Sequence, residues 1–222
     1  MKRTKYMLVG LLFMIIFMRC SQVSSFNNLY DATKISAVKI KTFNGNISIV
    51  AHDSAYVKIG DDQNLNSCFQ DVSLLMGTLT IETIGSLFGN TSCDEMKIYV
   101  PRRMKVIGSI AAAHVNLQGL EGNVDFDIGF GSLQGSVASK EAVIELAGGS
   151  VDLSWSKNLN QGSILIDSGM GDIKFSFPQD MIINPAVNSA LGQIESHVKI
   201  NPLSQFILNG NLGLSKLQLS YN

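Results

Sequence analysis

The chain has 222 residues and a formal net charge of −1; 45% of its residues are hydrophobic and only 16% are charged. That excludes a disordered chain, which buries too little apolar surface to order itself. A near-neutral balance with a pI of about 6.3 excludes a nucleic-acid partner held on a basic stripe, and the length allows one elongated unit or two small domains.

The N-terminus has the layout of a secretory signal. Lys2, Arg3 and Lys5 form a positive start, and Met7 to Met18 is an apolar run too short for a comfortable membrane span. Val23, Ser24 and Ser25 supply the small residues a signal peptidase needs, so residues 1–25 are expected to be removed before Phe26. Cys20 offers a second route, a lipidated N-terminus, although Arg19 stands where a lipobox has a small residue. Export would leave Cys68 and Cys93 in an oxidising compartment, where a pair of cysteines predicts a disulfide. Closing that loop would contribute about 3.5 kcal/mol.

Strands begin after a short polar leader. Ala37–Phe43 alternates apolar and polar residues, as a half-buried strand does. Asn44-Gly45 has tight-turn chemistry, and Asn46–Val50 and Ala55–Ile59 follow as further strands. Val72–Leu75 and Thr78–Thr83, joined by Met76-Gly77, form a hairpin pattern. Met96–Val100 is a strand stopped by Pro101, which cannot donate to a ladder. Arg102, Arg103 and Lys105 make a small basic cluster, which a solvated turn explains better than an anion site. From Val106 the apolar segments shorten and glycines multiply, with Val115–Leu117 and Val124–Phe126 as the next strands. The chain after the leader contains no sustained helical periodicity with caps.

From Val124 onward the sequence aligns with itself. Gly131, Gly149, Gly171, Gly192 and Gly213 mark successive rows, 18, 22, 21 and 21 residues apart. Phe126, Ile144, Ile166, Val187 and Leu208 form one apolar column in these rows. Leu133, Val151, Ile173 and Ile194 form a second, ending at Ser215; Val137, Trp155, Phe177, Val198 and Leu219 form a third. Side chains on a strand alternate faces, so such columns point inward and stack on the neighbouring coil. A fixed period near 20 predicts a single-stranded parallel β-solenoid, a β-helix right-handed by the crossover rule, with coils of about 21 residues. The expected organisation is a signal segment (1–25), an N-terminal β region with longer strands and loops (26–105) and regular coils (106–222), the last two continuous with each other. Trp155, at a column end, is expected in the core.

Asn44–Ile49, Gly77–Ile81, Ile98–Pro101, Val115–Val124 and Ser168–Ile173 resemble the bacterial β-strand-repeat putative adhesin family, and are similar to the head domain of putative auto-transporter adhesins. The resemblance runs from about residue 36 onward. It implies an exported, surface-associated solenoid, and it transfers no catalytic residue.

The search for chemistry is short. His52, His114 and His197 stand far apart without ligand spacing. Nucleophile elbows, phosphate-binding loops and CxxC pairs are absent, and nothing in the chain calls for a cofactor. Beside the first apolar column lies a polar one, Asp127, Glu145, Asp167, Asn188 and Asn209. Stacked about 4.8 Å apart, exposed carboxylates repel by only about 0.8 kcal/mol in water, so a solvated polar turn is tolerable. The sharper alternatives are a Ca²⁺ site on Asp127, Glu145 and Asp167, or carboxylates acting on a glycan. Two functions therefore stand side by side. One is an exported, non-catalytic envelope or surface protein that binds or scaffolds, in the periplasm, on the outer membrane or at the cell surface. Its partners would be a glycan, another envelope protein, or a copy of itself docked through the C-terminal coil. The other is a glycan-active lyase or hydrolase. The expected outermost strand, Leu217–Tyr221, motivates the self-association reading, because an uncapped strand edge invites pairing.

Overall fold

A computed structural model describes residues 28–60, 69–83 and 96–222. The signal segment, Cys20, Cys68 and Cys93 lie outside the described residues, and so does the expected disulfide.

The described chain is all-β and forms one open sheet rather than a closed barrel. Short strands come first: β1 (Leu29–Asp31), β2 (Ala37–His52, itself long), β3 (Tyr56–Ile59), β4 (Phe69–Leu75), β5 (Thr78–Thr83) and β6 (Met96–Pro101). Four long strands follow: β7 (Lys105–Leu120), β8 (Val124–Val137), β9 (Glu141–Trp155) and β10 (Gln161–Phe177). The last are β11 (Ile182–Ser189), β12 (Gln193–Ser196), β13 (Lys199–Ile200) and β14 (Gln205–Tyr221). A 3₁₀ turn at Ala32–Lys34 is the single helical element among the described residues.

The central strands run parallel and in register in the order β2, β7, β8, β9, β10, β14. On the other side of β2 sit β5 and β6, also parallel to it. Antiparallel pairs finish that end: β1 with β3, β3 with β6, and β4 with β5. The β4–β5 hairpin turns on Met76 and Gly77, both at positive φ, as a two-residue hairpin requires.

Inward-facing residues come from alternate positions, but the phase changes within each long strand. In β9 the buried residues are Ala142, Ile144, Leu146 and Gly148, then Val151, Leu153 and Trp155. In β10 they are Ile164, Ile166 and Ser168, then Ile173, Phe175 and Phe177. The switch falls in one column, Gly45, Ala113, Gly131, Gly149, Gly171, Ser215 and Gly192. Gly149 shows why the position is tight: its φ is +126°, and an added Cβ would lie 2.0 Å from the Gly131 carbonyl oxygen. The core inside these rows is continuous. Trp155 is fully buried, stacks on Phe177 at 5.2 Å and meets Phe175 and Phe206 edge-on. Its indole N–H donates to the Ser139 carbonyl at 3.1 Å, so the ring is buried without an orphaned donor.

Several expectations need correction. Asn44-Gly45 does not reverse the chain. Gly45, at φ +115°, continues β2, where Asn44 and Gly45 pair with Ala112 and Ala113. Residues 105–120 form one long strand rather than short pieces. The rows are not uniformly 21 residues long: Val106 faces Val124, Val124 faces Ala142, and Ala142 faces Ile164. The largest correction concerns the C-terminal rows. β14 pairs directly with β10 on one side and with β11 and β12 on the other. The last strand is therefore internal, and β11–β13 form the outer edge. The column members shift by two residues: Gly210, not Leu208, faces Ile166, and Leu217, not Ser215, faces Ile173. Likewise Leu219 faces Phe175, while Tyr221 faces Phe177. The end is tied down, since the Asn222 side chain donates to the Trp155 carbonyl at 2.8 Å and the Lys199 N–H donates to the Tyr221 hydroxyl at 2.7 Å.

Candidate functional site

Parallel, in-register pairing sets equivalent residues side by side at about the 4.8 Å strand spacing. The polar column forms, with one change of member. Asp127 faces Glu145, Glu145 faces Asp167, Asp167 faces Asn211, and Asn211 faces Asn188. Asn209 lies two residues away, opposite Leu165 and Ala186. At the C-terminal end the column is a hydrogen-bonded chain. Asn211 donates to Asp167 Oδ1 through both its backbone N–H (3.0 Å) and its side-chain amide (2.9 Å). The Asn188 amide donates to Asn211 Oδ1 at 3.3 Å. Asp127 and Glu145 are exposed. Among the described residues no group of three or more His, Cys, Asp or Glu side chains is placed to hold a metal ion.

At the Asp127 end the surface is concave. Ser109 and Ala111 on β7 are small, while Phe43 on β2 and Asp127 on β8 are larger. Between them lies a cleft of about 460 Å³, rimmed also by Thr42 and by the Lys41–Glu82 ion pair. Thr83 donates to Thr42 at 2.7 Å and holds one wall.

Three residues after the polar column runs a second row that the sequence reading missed. Phe130 faces Gly148, Gly148 faces Met170, and Met170 faces Leu214. Phe130, Met170 and Leu214 are 63%, 54% and 62% exposed, so the core does not account for them. The Phe130 ring leans over the next strand, where a Cβ on Gly148 would lie 2.9 Å from it. Leu191, also exposed, adjoins the row through its N–H bond to the Gly213 carbonyl. The phase change explains their exposure: positions 130, 170 and 214 stand where even-numbered inward residues give way to odd-numbered ones.

The remaining candidates scatter. Exposed His114 shares a 2.7 Å hydrogen bond with Ser132. His52 packs its ring against Tyr56 at 4.5 Å and accepts at Nδ1 from the Ser54 N–H at 3.0 Å. His197 is exposed on the outer edge. These three do not converge.

No protein-family model matches the chain, and no curated protein matches it. Two solved structures are similar. One is a putative adhesin from Bacteroides fragilis, 15% identical, with a TM-score of 0.36 over 86% of this chain and 94% of that one. The other is a putative cell adhesion protein from Clostridium sporogenes, 12% identical, with a TM-score of 0.55 over 87% of this chain and 97% of that one. The Clostridium likeness agrees with the resemblance read from the repeats, and at that identity what it shows is a shared fold.

Proposed function

We propose that the protein is an exported, non-catalytic surface protein that binds an extended partner, a glycan or another envelope protein, across the outward face of its parallel rows. The observation that carries this reading is the row Phe130, Met170 and Leu214, each more than half exposed on paired or next-but-one strands. Beside it run the carboxylates and amides of the Asp127–Asn188 column. Exposed apolar groups rimmed by polar ones are the usual composition of a binding patch. The adhesion name carried by the Clostridium protein supports the same direction.

In this reading the sheet is wound into a solenoid, right-handed by the crossover rule, and 26–105 and 106–222 form one continuous stack. Two observations support the winding. A straight 14-residue strand spans about 46 Å, whereas the residues joining β7 to β8 (121–123) reach only about 11 Å, yet these strands pair in parallel. The inward phase also switches at one column in each long row, as it does when a strand turns a corner and keeps its core on the same side. Export follows from residues 1–25, with the Cys68–Cys93 disulfide and the Cys20 anchor as its corollaries.

Self-association belongs at β11–β13, where Ile182, Ile194 and Ile200 are exposed, rather than at Leu217–Tyr221. A concentration-dependent mass in solution, lost on Ile194→Asp, is the expected outcome.

The deciding experiment pairs binding with turnover. The mature protein is incubated with a panel of envelope polysaccharides, and retention and product release are both measured. Retention without cleavage is expected. Reproducible cleavage, abolished by Asp127→Asn, Glu145→Gln or Asp167→Asn, would replace the binding reading with the glycan-active enzyme.

A further inference from the structure

The turns between rows stack on one side of the sheet and bring together cations that are far apart in sequence. Arg103 follows β6 and Lys105 opens β7; Lys140 lies between β8 and β9, and Lys157 between β9 and β10. All four line one cleft of about 610 Å³, together with a single carboxylate, Glu121, and the half-buried Leu159. The lining itself holds four cations and one carboxylate; at its margin Asp125 stands beside Lys105 and Glu141 accepts from the Asn123 amide, which leaves a net excess of one cation around the cleft.

The existing partners do not balance this charge. Glu121 is held by Lys157, with Nζ to Oε1 at 2.6 Å, and that bond draws its carboxyl below the usual carboxylate range. Arg103 reaches Glu121 only at 3.9 Å, and its side chain is 90% exposed. Lys105 has Asp125 at 3.8 Å. Lys140 is exposed, with no carboxylate at ion-pair distance among the described residues. The adjacent Arg102 makes a two-pronged pair with Asp53 at 2.9 and 3.2 Å and stands 3.9 Å from Glu121. Arg103, Lys105 and Lys140 thus face the cleft with donors in excess of acceptors.

We infer that this cleft binds a compact oxyanion group (carboxylate, sulfate or phosphate) carried on a saccharide. Charge-assisted hydrogen bonds from Arg103, Lys105 and Lys140 would hold the anion, and Leu159 offers an apolar wall for the ring. A nucleic acid does not fit, because its charge recurs along the whole polymer. Beyond the cleft, Lys174 and Lys216 are already paired with Asp152 and Glu195. The inference stands on the turns and not on the outward rows, so either can fail alone.

The test is a titration of the mature protein, followed by amide NMR shifts and calorimetry. The probes are a glucuronate-bearing disaccharide, a glucose disaccharide, inorganic phosphate and inorganic sulfate. The charged disaccharide is expected to bind and to shift amides at Asn123 and Lys140, and to bind more weakly as salt screens the site. An Arg103→Ala/Lys140→Ala variant, which leaves the Lys157–Glu121 pair intact, should weaken it by at least about threefold. Lys174→Ala should change nothing. Equal binding of the glucose disaccharide, or an unchanged affinity in the double variant, would overturn the oxyanion site. Binding of phosphate or sulfate without the charged disaccharide would overturn the saccharide, and absence of binding by any probe would overturn both.

Discussion

Ile166 and Ile173 are fully or almost fully buried, and each is flanked by paired strands on both sides. Replacing either by Ala removes packed methylenes and leaves a cavity, an expected loss of about 2–5 kcal/mol in denaturant unfolding. Lys174, the next residue after Ile173, is exposed and paired with Asp152 at 3.7 Å; its replacement by Ala should cost less than about 1 kcal/mol. Equal losses at the two kinds of position would mean the facing is misassigned. Glu121 gives a pH-dependent outcome. Its folded pKa is lowered, first by the hydrogen bond from Lys157. Its stabilising contribution is therefore complete above the ordinary value of 4.5 and disappears as pH falls through the lower folded value. Glu121→Gln should flatten that part of the acid stability curve, and an unchanged curve would show that the carboxylate does not contribute. At this scale much was legible from sequence, since Phe126, Ile144, Ile166, Val151 and Ile173 are all buried as their columns require. Phe130 and Met170 were not legible, because alternation alone places them inside and only the bend turns them out.

Among the elements, the instructive case is β14. Aligning Gly213 beneath Gly192 extends the 21-residue rhythm and makes β14 the outermost strand. The structure instead places Ser215 in the bend column, beside Gly171, where its hydroxyl meets that of Ser168 at 2.7 Å in a buried pair. Small size with a hydroxyl partner suffices there, and Ala113 occupies the same column. Glycine was thus a good marker of the bend but not a necessary one, and the register slipped by two. The internal position of β14 has a consequence that truncation reveals. Removing residues 205–222 takes away the partner of β10, β11 and β12 together. Backbone groups of 182–196 then lose their ladder, so hydrogen exchange across 182–200 should rise to unprotected rates. Were β14 the outer strand, those amides would remain protected in the shortened chain.

Over the whole molecule, the two ends are built differently from the middle. Antiparallel β1, β3 and β4 finish one end. The other ends in short strands, with Pro185 in β11, a residue that suits an edge because it has no N–H to donate. Such edges limit open-ended stacking beyond a pair of copies. The all-β character was legible in sequence because apolar residues alternate at strand spacing. The outward face was not, since its members become neighbours only through the register of four strands. The most direct measurement of that face's role compares the protein with a Phe130→Ser/Met170→Ser/Leu214→Ser variant in binding to bacterial surfaces and isolated envelope. All three side chains are more than half exposed, so the variant should fold with an unchanged circular dichroism spectrum. Loss of an apolar hot spot predicts binding weakened by at least about tenfold; undiminished binding by the folded variant would contradict the assignment of this face.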